Sequence, residues 1–85
     1  MSILYFTADW CQPCKKTKPI IEELNKDNND IFQIIDVDKQ RDWALDFSIQ
    51  SVPTFIVLKN DKEVRRFVGA QTKESLESMI GLLNG

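Results

Sequence analysis

The chain has 85 residues, of which 42% are hydrophobic and 28% are charged, and its formal net charge is −2. These values are ordinary for a soluble globular protein and indicate a single domain over residues 1–85 that needs no metal or disulfide scaffold to fold. No basic stripe is present, which excludes the electrostatic footprint of a nucleic-acid-binding protein. The cysteines of the chain are therefore available for a chemical role.

The chain contains no apolar stretch of the length that crosses a membrane. Its longest apolar runs are Ile3–Phe6 and Phe55–Leu58, far short of the roughly 20 residues that a membrane span requires. The N-terminus carries no basic segment followed by a cleavable apolar segment, which argues against secretion. We therefore expect no membrane association and a cytoplasmic, reducing location, where a cysteine pair is more often catalytic than structural.

The first half of the chain alternates strand-like and helix-like segments. Ile3–Phe6 is a short continuous run of strand-forming residues, typical of a strand that is buried on both faces. A helix is expected over about residues 11–26, and Pro19 should kink it by removing a backbone donor. Residues 31–35 predict a second strand, and residues 39–47, with apolar side chains at helical spacing, predict a short helix.

The second half of the chain predicts a hairpin followed by a helix. Phe55–Leu58 and residues 63–68 are expected to form antiparallel strands, because the Asn-Asp pair at residues 60–61 lies between them as a turn signal. Apolar residues recur at i, i+3, i+4 and i+7 over residues 76–83, which predicts an amphipathic helix, and Thr72 lies in its cap region.

The order β-α-β-α-β-β-α predicts an α/β fold with a four-stranded mixed sheet and helices on both faces. The first β-α-β unit should be a parallel crossover, and the later hairpin should be antiparallel. The first strand is the most apolar of the four and is expected to lie inside the sheet.

Cys11 and Cys14 are the only cysteines, and they follow a predicted strand at the start of a predicted helix. The free N–H groups and the dipole of a helix N-terminus favour an anion. A thiol placed there has a lowered pKa, commonly about 7 or below, against about 8.5 unperturbed. The spacing of three residues puts both sulfurs on one helical face, and Pro13 fits the first turn, so the pattern predicts a redox-active pair.

Three other interpretations of the cysteine pair stay open. A zinc site needs about four ligands, and a chain with no histidine and two cysteines can reach that number only as an intermolecular four-cysteine site, so we expect no metal within one chain. A static structural disulfide is disfavoured because a bridge between i and i+3 constrains the unfolded chain little. Two buried cysteines without a role are disfavoured because a helix start after a strand is usually partly exposed.

Several features in the same order resemble the thioredoxin family. Trp10–Lys15 carries the Trp-Cys-x-Pro-Cys-Lys motif, and Pro19 stands where the family helix is kinked. Residues 49–55 are similar to the family segment whose proline is cis, and Gly69 follows the last strand, where the family keeps a glycine. The resemblance extends over residues 3–83 and implies a minimal thioredoxin fold that lacks the family's first strand and helix.

The resemblance implies a thiol–disulfide oxidoreductase that reduces protein disulfides. Cys11 would attack the substrate disulfide and Cys14 would resolve the mixed disulfide. Trp10 would shape the docking surface, and Pro53, in cis, would face the cysteines and leave the backbone of Val52 to pair with an extended substrate. The remaining supporting residues would be Gln12, Pro13 and Gly69. Simpler interpretations are core packing for Trp10, a plain turn at Pro53 and a strand end at Gly69.

Three positions depart from the family pattern. Gln12 replaces the usual glycine between the cysteines, so the family's strongly reducing potential is not carried over to this chain. Tyr5 stands where the family commonly has a buried aspartate that assists proton transfer at the second cysteine, and Ile34 stands where a lysine often pairs with it. Losing both charges together is coherent, because one alone would be buried without compensation. We expect Cys14 to lose its proton to water or to the leaving thiolate, with Tyr5 as a possible proton-handling neighbour, a hydrogen-bond partner at most, or an ordinary core aromatic.

The implied enzyme would be a monomer with no bound cofactor besides its own redox-active disulfide, acting in electron transport and cell redox homeostasis. Its partners would be disulfide-containing proteins and either an NADPH-dependent flavoprotein reductase or glutathione. Two alternatives stay open. One is a binding module or partner subunit whose docking surface matters more than turnover. The other is a glutaredoxin-like, glutathione-coupled reductase, which is less favoured because glutaredoxins usually have Tyr where Trp10 stands and Thr where Val52 stands.

Overall fold

The computed structural model describes residues 2–84 and contains four strands and three helices in the predicted order. They are β1 (Ser2–Thr7), α1 (Gln12–Asp27), β2 (Phe32–Asp36), α2 (Arg41–Asp46), β3 (Thr54–Lys59), β4 (Lys62–Val68) and α3 (Lys73–Asn84). The predicted α/β class and element order are confirmed.

The four strands form one mixed sheet in the order β2-β1-β3-β4. β1 runs parallel to β2 and antiparallel to β3, and β3 pairs with β4 in the antiparallel hairpin. The prediction that the first strand lies inside the sheet is confirmed, and all of Ile3–Phe6 is buried. Because β1 and β2 are parallel and Thr7 pairs with Asp36, the segments that follow these strands leave the sheet at the same end.

The two faces of the sheet carry separate hydrophobic cores, because successive side chains of a strand point to opposite faces. Tyr5 lies on the face that α1 and α3 cover, whereas Phe6 lies on the face of α2. α2 has no fully buried residue of its own, and Phe47 and Ile49, which follow it, help to close the second core. Helices therefore lie on both faces, as predicted.

Local signals in the sequence correctly predicted the hairpin turn and the cap of the last helix. Asn60 and Asp61 have φ values of 55° and 62°, the left-handed conformation that a two-residue type I′ turn requires at both positions. The Thr72 hydroxyl accepts the backbone N–H of Ser75 at 3.1 Å, which satisfies one free donor at the start of α3.

α1 is the longest helix, with 16 residues, and it continues through Pro19. Proline has no N–H, so Pro19 makes no helical hydrogen bond to the carbonyl of Lys15. No helix within residues 2–84 combines the length and the apolar character needed to cross a membrane.

Candidate active site

Cys11 is the N-cap residue of α1, and its sulfur is bonded to that of Cys14. Its backbone is extended, with φ −88° and ψ 111°, and its Sγ accepts the backbone N–H of Cys14 at 3.2 Å. The Cα atoms of the two cysteines lie 5.3 Å apart. The sulfur thus takes the place that a serine hydroxyl or an aspartate carboxylate usually takes at a helix start, where a free N–H favours an anion.

Both cysteines are buried in the disulfide form. Cys11 is 4% exposed and Cys14 is 2% exposed, and both pack in a small cluster with Ala8, Val37 and Val52. The expectation that the helix start leaves the pair partly exposed is therefore wrong for this form. The physical reason is cover from the Val52 loop, whose carbonyl oxygen lies 3.7 Å from the Cys11 Sγ.

The Val52–Pro53 peptide bond is cis, as the resemblance implied. Pro53 is buried, and its carbonyl accepts the backbone N–H of Gly69 at 2.8 Å, which ties the proline loop to the end of β4. The backbone N–H of Val52 donates to no protein acceptor within residues 2–84. The loop therefore covers Cys11 with its Val52 carbonyl, while the Val52 N–H has no acceptor in the described part of the chain.

Gly69 has a φ of +93°, which residues with side chains rarely adopt. A Cβ built at this position would meet no atom within 4 Å, so backbone conformation and not crowding accounts for the glycine. Its carbonyl accepts the Gln71 side-chain amide at 3.1 Å. The sharp exit from β4 that this conformation produces brings the Gly69 N–H to Pro53.

Trp10 is 66% exposed, so core packing is the wrong interpretation for its side chain. Its indole Nε1–H donates to the Asp38 carboxylate at 2.9 Å. Asp36 holds the loop that carries this acceptor, since its Oδ1 accepts the backbone N–H groups of Asp38 and Lys39 at 2.9 and 3.2 Å. Asp38 was not among the residues predicted from the sequence, and its only signal was its place just after a strand parallel to β1.

Tyr5 is fully buried beneath the cysteines. Its hydroxyl donates to the carbonyl oxygen of Cys14 at 3.1 Å, and its ring stacks on Phe55 with centroids 4.9 Å apart. Burial raises the pKa of the Tyr5 phenol, and the side chain of Thr7 opposes that rise. Tyr5 is thus both a core aromatic and a hydrogen-bond donor to the first turn of α1.

A cleft of about 350 Å³ opens beside Cys14, and we call it the Cys14 cleft. Its lining residues are Tyr5, Thr7, Ala8, Asp9, Cys14, Lys15, Lys18, Ile34, Asp36 and Lys39. Ile34 pairs with Tyr5 across β1 and β2 and is 42% exposed, so it lies between the floor of the cleft and solvent. No pattern in the sequence predicts this cleft, because its walls come from three separate elements and the loops that follow them.

The first turn of α1 exposes the two residues between the cysteines. Gln12 is the first helical residue and Pro13 the second, which is the predicted use of proline in a first turn. Within residues 2–84, no three His, Cys, Asp or Glu side chains are grouped to hold a metal ion.

Three comparisons agree on the relatives of this chain. The family model Thioredoxin matches residues 1–81. The thioredoxin of Bacillus subtilis (strain 168) is 39% identical over 77 residues, which are 88% of this chain and 74% of that protein. The TPR repeat-containing thioredoxin TDX of Arabidopsis thaliana is 44% identical over 79 residues, but these 92% of this chain span only 20% of that longer protein. The crystal structure of thioredoxin NaTrxh from Nicotiana alata superposes with a TM-score of 0.85 at 41% identity, covering 95% of this chain and 70% of that one.

Proposed function

Because the chain belongs to the thioredoxin family, we propose that it is a thiol–disulfide oxidoreductase that reduces disulfides in protein substrates. The observation that carries the proposal is the disulfide between Cys11 and Cys14 at the N-terminus of α1. A disulfide that closes so short a loop adds little to folding stability, so its natural use is to be broken and reformed.

Cys11 is the nucleophile in this proposal. After reduction, its sulfur is the N-cap of α1, where the Cys14 N–H and the helix dipole favour the thiolate. The thiolate attacks one sulfur of the substrate disulfide, which forms a mixed disulfide and releases the first substrate thiolate. Cys14 then attacks the Cys11 sulfur, the mixed disulfide breaks, and the second substrate thiolate leaves. Two electrons pass to the substrate, and the chain returns to the disulfide form of the structure.

The surface around Cys11 supports docking of an extended protein segment. Trp10 offers a large exposed aromatic face beside the nucleophile, and Asp38 fixes its indole. The free N–H of Val52 offers the start of strand-like pairing, a common way of binding extended peptides. Gly69 borders the proline loop and adds no side chain that would block the approach.

The proposed enzyme stores its electrons in its own cysteines and needs no resident cofactor. We propose that an NADPH-dependent flavoprotein reductase or glutathione returns electrons to it, and that it serves electron transport and redox homeostasis as a cytoplasmic monomer. Its reduction potential decides the direction of exchange. A value near about −270 mV suits a general reductant, whereas about −120 to −180 mV suits an oxidase or an isomerase.

Reduction of insulin with dithiothreitol as electron source tests the proposal. Cys11→Ser should abolish catalysis. Cys14→Ser, reduced and then freed of dithiothreitol before it is mixed with insulin, should accumulate a mixed disulfide with substrate that mass spectrometry detects. Gln33→Ser, an exposed change on β2 outside the Cys14 cleft, is the control and should keep full activity. Equal activity of wild type and Cys11→Ser would contradict the proposal. Retention of biological function by the double serine variant would favour a binding module.

A further inference from the structure

The Cys14 cleft reaches one cysteine of the pair and not the other. Cys14 lines it, whereas Cys11, Trp10 and Val52 do not. Its floor consists of the buried residues Tyr5, Ala8 and Cys14, while most of its other lining residues are exposed. A cleft of about 350 Å³ that is lined in part by charged side chains has room for several water molecules. Solvent therefore approaches Cys14 by a path separate from the proposed docking surface.

The hydrophobic cluster around the cysteine pair offers no acceptor for the Cys14 proton. Ala8, Val37 and Val52, which pack around the cysteine pair, are apolar. The Tyr5 hydroxyl already donates to the Cys14 carbonyl, and burial raises its pKa, so the phenol stays protonated at neutral pH. The cysteine thiol must nevertheless lose its proton before it can act as a nucleophile.

Five charged residues line the cleft, and most of them are exposed. The lysines are Lys15 and Lys18 on α1 and Lys39 after β2, and the carboxylates are Asp9 and Asp36. The Oδ1 atom of Asp36 accepts two backbone N–H groups of the following loop, which holds this carboxylate at the end of β2. Three cations against two anions leave a positive excess, which favours a thiolate over a thiol at the floor.

We propose that the Cys14 cleft is the proton exit of the resolving step, with water in the cleft taking the Cys14 proton to solvent. This inference rests on the proposed oxidoreductase function. The thiol of Cys14 gives its proton to cleft water, and the electron pair left on its sulfur forms the bond to the Cys11 sulfur. The bond between Cys11 and the substrate sulfur breaks, and the substrate leaves as a thiolate that takes a proton from bulk solvent.

Rapid mixing of the reduced protein with one equivalent of a chromogenic aromatic disulfide tests this route. The first burst of aromatic thiolate reports attack by Cys11, and the second, unimolecular burst reports resolution by Cys14. Imidazole at constant pH and ionic strength is a small base that fits the cleft. It should accelerate the second burst about threefold and leave the first unchanged.

Filling the cleft supplies the matched comparison. Ile34→Trp places the largest side chain at the cleft wall, and it should slow the second burst about tenfold and remove the imidazole response. Gln33→Trp adds the same side chain at the preceding residue of β2, which does not line the cleft, and should behave as wild type. Circular dichroism checks that both variants fold, and Ile34→Phe replaces the tryptophan variant if that one does not.

Two results would overturn the proposal while leaving the proposed function intact. In the first, the second burst is insensitive to imidazole, which would mean that the proton passes directly to the leaving thiolate. In the second, the imidazole response survives when the cleft is filled, which would mean that the base reaches Cys14 by another path. Loss of the first burst in the wild-type protein would contradict the oxidoreductase function itself.

Discussion

Tyr5→Phe isolates the hydrogen bond between the core and the first turn of α1. The change removes the hydroxyl that donates to the Cys14 carbonyl at 3.1 Å and keeps the ring that stacks on Phe55. The Tyr5 side chain is fully buried, and phenylalanine supplies no donor in place of the lost hydroxyl. The expected cost is about 0.5–1.5 kcal/mol of the free energy of unfolding. For a domain of this size, 1 kcal/mol corresponds to a fall in Tm of about 4–8 °C.

Two assays on the same variant separate the structural role of Tyr5 from a chemical one. Urea and thermal unfolding of the oxidised protein at pH 7, followed by circular dichroism, should show the loss of stability. Insulin reduction should stay within a few-fold of wild type, because a protonated phenol that donates to a backbone carbonyl is not the proton acceptor of Cys14. A hundredfold loss of activity in a folded variant would refute this reasoning, and unchanged stability would refute the hydrogen bond.

Four further predictions concern the surface of the site, the backbone at Gly69, the titration of Tyr5, and the pair formed by Tyr5 and Ile34. Asp38→Ala should release Trp10 and lower kcat/KM for insulin about two- to fivefold, with no change for a small aromatic disulfide. Gly69→Ala should lower the free energy of unfolding in urea by about 1–2 kcal/mol. The cost comes from the backbone φ of +93°, since the space for a Cβ is open. Tyr5 is the only tyrosine, and burial raises the pKa of its phenol in the folded chain. Because the unfolded chain therefore ionises first, the free energy of unfolding that Tyr5 contributes, measured against Tyr5→Phe, should fall as the pH rises above about 10. Tyr5→Asp should cost several kcal/mol, and adding Ile34→Lys should recover part of that loss in a double-mutant cycle.

Each of these has a control or a contrary result. Equal losses of Asp38→Ala on both substrates would show that the indole does not serve docking. Gly81→Ala lies in α3, also with no atom near a Cβ, and should not destabilise the chain, since alanine favours a helix. If the difference in free energy of unfolding between wild type and Tyr5→Phe does not change with pH, the predicted titration of the Tyr5 phenol is contradicted. Additive effects of the two changes at positions 5 and 34 would contradict their coupling.

Most of the fold was predictable because its signals are local. The continuous apolar run of Ile3–Phe6 is typical of a strand buried on both faces, and the structure buries every residue of it. Asn60 and Asp61 tolerate left-handed backbone, so the hairpin turn follows from two adjacent residues. The cap at Thr72 likewise depends on a contact three residues away.

The finer features of the site were not predictable, because they join segments that are distant in the chain. Asp38 lies 28 residues from the indole that it holds, and Val52 lies 41 residues from the sulfur that it covers. No regular sequence spacing predicts either contact. The motif alone therefore does not show that Trp10 is exposed and held by a hydrogen bond, or that Cys11 is buried. The cysteine motif specifies the chemistry, whereas the packing of the proline loop determines how the sulfur is presented.

The pairing of Tyr5 with Ile34 across the sheet bears on the resolving step proposed for Cys14. They pair across β1 and β2, they lie on one face of the sheet, and both line the Cys14 cleft. A carboxylate at position 5 would face an isoleucine and have no buried cation to compensate it, so a neutral hydrogen-bond donor is the group that this neighbour permits. That donor is occupied by the Cys14 carbonyl and cannot take the thiol proton. In the proposed resolving step, position 5 therefore offers no internal acceptor, and water in the cleft beside Ile34 takes the proton.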